Sequence, residues 1–259
     1  MSIAARDARS NASFRVAPEG VRSASRLAEL RGAWEGHRCF IVGNGPSLNS
    51  LDLSRLKGEV TFGLNRGYLL ADRIGSDPTY LVVVNKHVVD QYADEILASG
   101  SLKLLSWRAR PPKRRAGDGA IYFRTRTRPG FYRDVGSDGV WEGATVTYVA
   151  LQLAFYFGFR EAVLIGVDHF FFTSGEPNKL VVANAPDPNH FDPNYFGPGV
   201  RWQLPDLATS EVAYAMARDA YESAGKRVIN ATAGGKLEVF ERQPYDSLVG
   251  SRFTPERGA

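Results

Sequence analysis

The order of apolar runs and amphipathic segments predicts a doubly wound α/β domain, with a mainly parallel sheet, helices on both faces and a lid insertion. Three observations carry this. Strand-like and helix-like stretches alternate along most of the chain. The run Cys39-Phe40-Ile41-Val42 ends in the turn Gly43-Asn44-Gly45-Pro46-Ser47, and a helix-compatible segment follows. A second run, Ala162-Val163-Leu164-Ile165, also ends in glycine, at Gly166, and its continuous apolarity suits a strand buried on both faces.

In chain order, Met1 to Arg15 is polar and small and reads as a frayed tail, followed by an amphipathic lead-in helix at 22–35. Strands are expected at 38–43, 59–64, 79–84, 102–106, 120–124, 161–166 and 227–231. Helices are expected at 47–57, 67–75, 88–99, 143–158 and 209–225. The clearest is 143–158, where Val146, Val149, Ala150, Leu153, Ala154 and Phe157 recur at helical spacing and Gly158 closes it. This divides the chain into an N-terminal tail and lead-in helix (1–36), one domain (37–240) and a C-terminal tail (241–259). The domain carries a basic insertion at 108–133 and a lid at 172–205.

Composition sets outer limits. The 44% hydrophobic and 23% charged content of these 259 residues is that of an ordinary globular protein. The single cysteine, Cys39, can form no internal disulfide and fits a reducing compartment. No apolar run approaches membrane-spanning length, and the N-terminus lacks the apolar core of a signal peptide. A cytoplasmic location follows as the expectation. The net charge of +4 is uneven: residues 108–133 hold nine Lys and Arg against one acid, Asp118. That segment suits an anionic membrane surface, which would make the protein peripheral to the inner face, or a polyanionic acceptor; it equally suits a solvated loop. No nucleic-acid motif frames it, so no nucleic-acid partner is expected.

In open parallel sheets ligands sit outside the carboxyl ends of the strands. There Gly43 and Gly45 permit a tight turn, Pro46 suits a first helical turn, and free amides at a helix start favour an anion such as phosphate. Asn44 and Ser47 add side-chain hydrogen bonds. The first three strands end at Asn44, Asn65 and Asn85, and each amide offers donors and an acceptor to a nucleotide, although asparagine also forms turns and caps. The 161–166 strand runs into Asp168 and His169. Asn65 stands where a dinucleotide enzyme places an acid, and no Walker lysine follows the glycines, which argues against nicotinamide and P-loop chemistry.

Residues 172–205 are long and irregular for a connection, as lids and binding loops are. They contain the tandem pentapeptides Asp187-Pro188-Asn189-His190-Phe191 and Asp192-Pro193-Asn194-Tyr195-Phe196, then Arg201 and Trp202. His190 is a candidate general base, with a surface histidine held by the turns as the alternative. Asp187, His190 and Asp192 could also hold a divalent metal, though no spacing motif supports one, and no metal site is assigned.

Gly43-Asn44-Gly45-Pro46-Ser47-Leu48, the strand ending at Asn65, the helix start at Gly143 and Gly166-Val167-Asp168 resemble the bacterial sialyltransferases of glycosyltransferase family 42. They equally resemble the broader MptE-like superfamily, with its flagellin glycosyltransferases and an archaeal 6-hydroxymethyl-dihydropterin diphosphokinase. Asn230-Ala231-Thr232-Ala233-Gly234-Gly235-Lys236-Leu237 looks like the end of the same core. The resemblance implies a Rossmann-like nucleotide-binding fold and, on the sialyltransferase side, an inverting transfer from a CMP-sugar to a glycan hydroxyl in cell-surface polysaccharide or glycoconjugate synthesis, with no obligatory metal. Asn44 and Ser47 would then face phosphate or ribose, Asn65 and Asn85 the nucleotide, and Gly143 and Thr145 the base or phosphate. His190 would be the catalytic histidine, beside Asp168. The family's tyrosine pair is replaced by Phe170 and Phe171, leaving His169 or Tyr195 to steady the departing phosphate, and Tyr195, Arg201 and Trp202 to line the lid or acceptor side. The alternatives are a diphosphokinase using ATP and magnesium, with Asp168, Asp187 and Asp192 as the available carboxylates, and a non-catalytic nucleotide-binding module.

Overall fold

The computed structural model describes residues 3–111, 119–173 and 175–250. Eight parallel strands form one sheet, in the order β12-β11-β8-β1-β2-β3-β4-β5. They are β1 (Arg38–Val42), β2 (Thr61–Leu64), β3 (Tyr80–Val83), β4 (Leu102–Ser106), β5 (Ala120–Phe123), β8 (Glu161–Ile165), β11 (Arg227–Asn230) and β12 (Glu241–Arg242). Two ribbons lie apart: parallel β6 (Thr125–Arg126) with β7 (Val140–Trp141), and antiparallel β9 (Leu180–Val182) with β10 (Arg201–Gln203). The helices are α1 (Ile3–Val16), α2 (Pro18–Glu29), α3 (Ala71–Ile74), α4 (Lys86–Ala98), α5 (Val135–Asp138), α6 (Val146–Phe157), α7 (Leu207–Glu222) and α8 (Tyr245–Leu248). This is a doubly wound, Rossmann-like α/β fold.

The six inner strands pair with a neighbour on each side, and side chains alternate between two cores. Cys39, Ile41, Phe62, Leu64, Tyr80 and Val82 pack with α2, α6 and α7. Phe40, Val42, Leu81, Val83 and Leu105 face the other way, toward α4, α8 and the lid residues Phe191, Tyr195 and Phe196. Helix α6 is buried over ten of its twelve residues, because α7 covers the side that the sheet does not, and Tyr221 donates to the Leu151 carbonyl at 2.8 Å. Gly158 ends α6 in the left-handed region at φ 99°, as expected.

All seven expected strands are present within two residues at either end; several helices differ. The segment expected as a helix at 47–57 is two short 3-10 turns, Pro46–Ser50 and Leu53–Leu56. Its serines and aspartate bond locally, with Asp52 accepting from Ser54, and such bonds compete with α-helical geometry. Residues 67–75 likewise divide into a 3-10 turn and α3. The N-terminal segment read as a frayed tail forms α1, whose Phe14 is buried edge-on against Trp107. Helix α2 then shields the edge strand β5, with Ser23 accepting from the Tyr122 amide and Arg26 donating to the Ala120 carbonyl. Residues 241–250, read as a tail, supply β12, α8 and buried Tyr245, Leu248 and Val249. Among the described residues no helix is long and apolar enough to cross a membrane.

Candidate functional site

The strand order reverses at β1, which lies between β2 and β8, so the turns after β1 and β8 flank the crevice where such sheets bind ligands. These turns are fused. A Cβ on Gly43 would lie 2.2 Å from the Gly166 carbonyl oxygen, and one on Gly45 would lie 1.8 Å from Asp168 Oδ2. Gly43 donates its amide to Ile165 O at 2.8 Å, and Gly45 to Gly166 O at 2.9 Å. Asp168 accepts from the Ser47 amide at 3.2 Å and from Ser47 Oγ at 2.7 Å. This corrects the expected phosphate cradle. The amides of Gly45 and Ser47 are already taken, Pro46 has none, and a carboxylate sits where the phosphate was placed. Burial pushes the Asp168 carboxyl above its ordinary range, opposed by the Ser47 bonds and by nearby His190.

The three strand-end asparagines divide. Asn44 donates to the Leu64 carbonyl at 3.0 Å, which ties β1 to β2. Among the described residues its Oδ1, and that of Asn65, are buried without a hydrogen donor. Buried acceptors left unmatched ask for a partner, and ribose hydroxyls are of the right kind. Asn85 is different: its Oδ1 caps α4 through the His87 amide at 2.8 Å, and its Nδ2 reaches Gln203 at 3.3 Å. It positions β10 and α4, and the cap accounts for its place at the strand end.

The lid lies directly on this crevice. Phe191 donates its amide to the Asn44 carbonyl at 2.8 Å, and Asn49 donates to the Phe191 carbonyl at 3.0 Å. This hangs His190 over the turn after β1. Its Nδ1 lies 2.7 Å from Asp187 Oδ2, and its ring stacks on Tyr195 at 4.1 Å between centroids. The His190 and Asp187 side chains are only 13% and 4% exposed. Asp187 also accepts from the amides of Asn189 and Phe196, which fixes the carboxylate. The pair is a carboxylate-oriented imidazole, the arrangement that sets one ring nitrogen as donor and leaves Nε2 to take a proton.

Tyr195 is fully buried, and its hydroxyl accepts from the Arg66 amide at 3.2 Å. That removes it from the expected acceptor or leaving-group role and makes it the shelf beneath His190. Arg66 closes the lid from β2: its guanidinium donates to the carbonyls of Asn194 and Tyr195, lies over Tyr92 at 3.9 Å and pairs with Glu95 at 3.4 Å. Trp202 stacks on Phe196 at 5.7 Å, and Arg201, exposed at the start of β10, is held through its backbone by Gln91.

Across the crevice, Thr145 caps α6 by accepting from the Thr147 amide, and its hydroxyl lies 3.4 Å from that of Tyr214. The His169 ring packs edge-on against the same Tyr214 at 5.8 Å. Burial lowers the pKa of His169, opposed by Glu211. Gly143 adopts φ 55° and leaves no room for a Cβ between Tyr148 and Ala213. Asn65, Ala144 and His169, all at the carboxyl edge, also hold positive φ, of 51°, 59° and 52°. Left-handed geometry costs such residues about 1–2 kcal/mol each, and strain of this kind concentrates at functional sites.

Asp187, read in the sequence only as an optional metal ligand, emerges as the partner of His190, and Arg66 was not anticipated. The basic insertion is largely structural where described. Arg110 covers Trp107, Arg124 donates to the Gly136 and Ser137 carbonyls, Arg126 donates to the Asp138 carbonyl, and Arg133 bonds Ser223. Lys113, Arg114 and Arg115 lie outside the described residues. Among the described residues no three His, Cys, Asp or Glu side chains gather as a metal site. No protein-family model, curated protein or solved structure matches the chain.

Proposed function

We propose that the chain is an inverting glycosyltransferase that takes a nucleotide-activated sugar, a CMP-sugar foremost, and transfers it to a hydroxyl of a glycan or glycoconjugate. One observation carries this reading: the Asp187–His190 pair is held over the strand-order reversal by the Phe191–Asn44 hydrogen bond. In the reaction, His190 Nε2 removes the proton from the acceptor hydroxyl as that oxygen attacks the anomeric carbon. The bond from the anomeric carbon to the phosphate oxygen breaks, and the nucleotide leaves with both electrons. Asp187 holds the imidazole in the productive tautomer and stabilises the imidazolium that forms.

The nucleotide side is built from what Gly45 and Ser47 leave free. Asn44 and Asn65 offer buried acceptor oxygens to ribose hydroxyls. The leaving phosphate is assigned to the start of α6, at Gly143 and Thr145, whose helix dipole favours negative charge, with His169 adjacent through Tyr214. The diphosphokinase alternative is less well supported, because Asp168 is engaged by Ser47 and Asp187 by His190.

Thermal stability against CMP, UDP, GDP and ATP, each with magnesium and with EDTA, tests the donor class, since a ligand of the native state raises Tm. A shift with CMP that survives EDTA is expected. A shift with ATP alone, only in magnesium, would replace this reading with the diphosphokinase.

A further inference from the structure

Phe172 is 69% exposed and Phe170 38%, although both follow directly on the β8 turn that carries Asp168 and His169. Large apolar side chains left in water on a rigid support ask for a ligand more than scattered surface residues do. The support here is rigid. Asn189, itself buried, accepts from the Phe172 amide at 2.7 Å and donates to Thr173 Oγ1 at 3.1 Å. The two rings meet edge-to-face at 4.9 Å, while Phe171 between them is turned toward His190 at 6.4 Å. The pair therefore stands between Asp168 on one side and Asn189-His190 on the other.

A cation is built into the same platform. Lys236 places its ammonium 4.4 Å from the Phe170 ring centroid. Its backbone amide donates to the Asp168 carbonyl at 2.8 Å, and the loop before it is clamped by Arg242, which donates to the Thr232 and Gly234 carbonyls. Gly235, at φ 76°, lets that loop approach the Asp168 backbone, which a Cβ would meet at 3.0 Å. The exposed ammonium over one ring, with a second ring beside it, presents one apolar face and one positive charge.

We propose that Phe170, Phe172 and Lys236 form the acceptor subsite, and that the acceptor is an anionic sugar. The CH-rich face of a pyranose lies against the phenyl rings, and its carboxylate or phosphate meets the Lys236 ammonium. This rests on the transferase reading for the word acceptor, whereas the binding itself does not depend on turnover.

The test is saturation-transfer NMR on the full chain without nucleotide, using methyl galactopyranosiduronate, methyl galactopyranoside 6-phosphate and neutral methyl galactopyranoside as probes. The two anionic probes distinguish carboxylate from phosphate. At least one of them is expected to bind about tenfold more tightly than the neutral sugar, and F172A to weaken it by about fivefold to tenfold. K236Q is expected to erase the preference for the anion and leave the neutral sugar unchanged. Equal binding of all three probes, or full affinity in F172A, would overturn the subsite. Anionic sugars that bind as described, with no turnover of any nucleotide-sugar, would overturn the transferase reading and leave the subsite standing.

Discussion

The amide of Phe191 donates to the carbonyl of Asn44 across 2.8 Å, so the loop that carries His190 is suspended from the turn that follows the first strand. Asn49 secures the same residue from the other side, through the Phe191 carbonyl. Asn49→Ala removes this bond and the one that Asn49 Oδ1 accepts from Arg73, which keeps its bond to the Leu48 carbonyl, so it should cost about 2 kcal/mol and loosen chiefly the lid. Limited proteolysis reads this as faster cleavage within 184–199, with the rest of the chain protected as before.

Asp187 orients the imidazole and Asn189 locally, and an amide of the same shape keeps most of its packing. Asp187→Asn should lower kcat by about 100-fold, because the wrong tautomer disables Nε2, and should cost about 1–3 kcal/mol, because its NH2 must face the amide of either Asn189 or Phe196. A kcat that falls no further than the folded fraction does would show that the pair is structural.

Gly45→Ala drives a methyl group into the Asp168 carboxylate. The strain should cost about 2 kcal/mol, or roughly 5 °C in Tm. Calorimetry of the variant beside Gly58→Ala, where a Cβ would meet open space although φ is 90°, separates this collision from backbone strain alone.

Much of this was legible in the residues. Apolar runs that end in glycine or asparagine marked the strands at 38–43, 59–64, 79–84 and 161–166, since buried parallel strands are apolar on both faces. The glycine turn was placed correctly, but its partner was not: Asp168 is 121 residues away from Ser47, and no local pattern couples them. The same distance problem hid Arg66, whose lid partners lie 128 and 129 residues on. Asp187 and His190 stand three apart inside a Pro-Asn turn, a spacing that reads equally as turn chemistry until the Tyr195 shelf is seen. Helix α1 escaped notice because Phe14 is its one large side chain described as buried.

Asp168 gives a pH signature. Its carboxyl pKa is raised in the folded protein, so its contribution to stability is fully present below the unfolded value and is lost as pH rises through the folded one. The stability of the native chain relative to Asp168→Asn should therefore increase as pH falls from neutral through the acid range. His169 acts oppositely: its lowered pKa contributes stability above about 6.5, lost as pH falls. Urea unfolding at a series of pH values, with Asp168→Asn and His169→Gln beside the native chain, resolves the two slopes.

Arg66→Lys keeps the charge but loses the planar fork that reaches Tyr68, Asn194, Tyr195 and Glu95. A cost of about 1–3 kcal/mol is expected, with weaker protection of the lid amides in hydrogen exchange. Unchanged exchange at Asn194 to Phe196 would show that the guanidinium does not hold the lid.

The transfer step itself is tested most directly by CMP release from a CMP-activated sugar, followed together with CMP binding in the native chain and His190→Ala. The account predicts release by the native chain, a fall of about 100-fold or more in the variant, and CMP affinity preserved in both. Equal release by the two proteins would contradict it, because among the described residues His190 is the one base that Asp187 holds over the crevice.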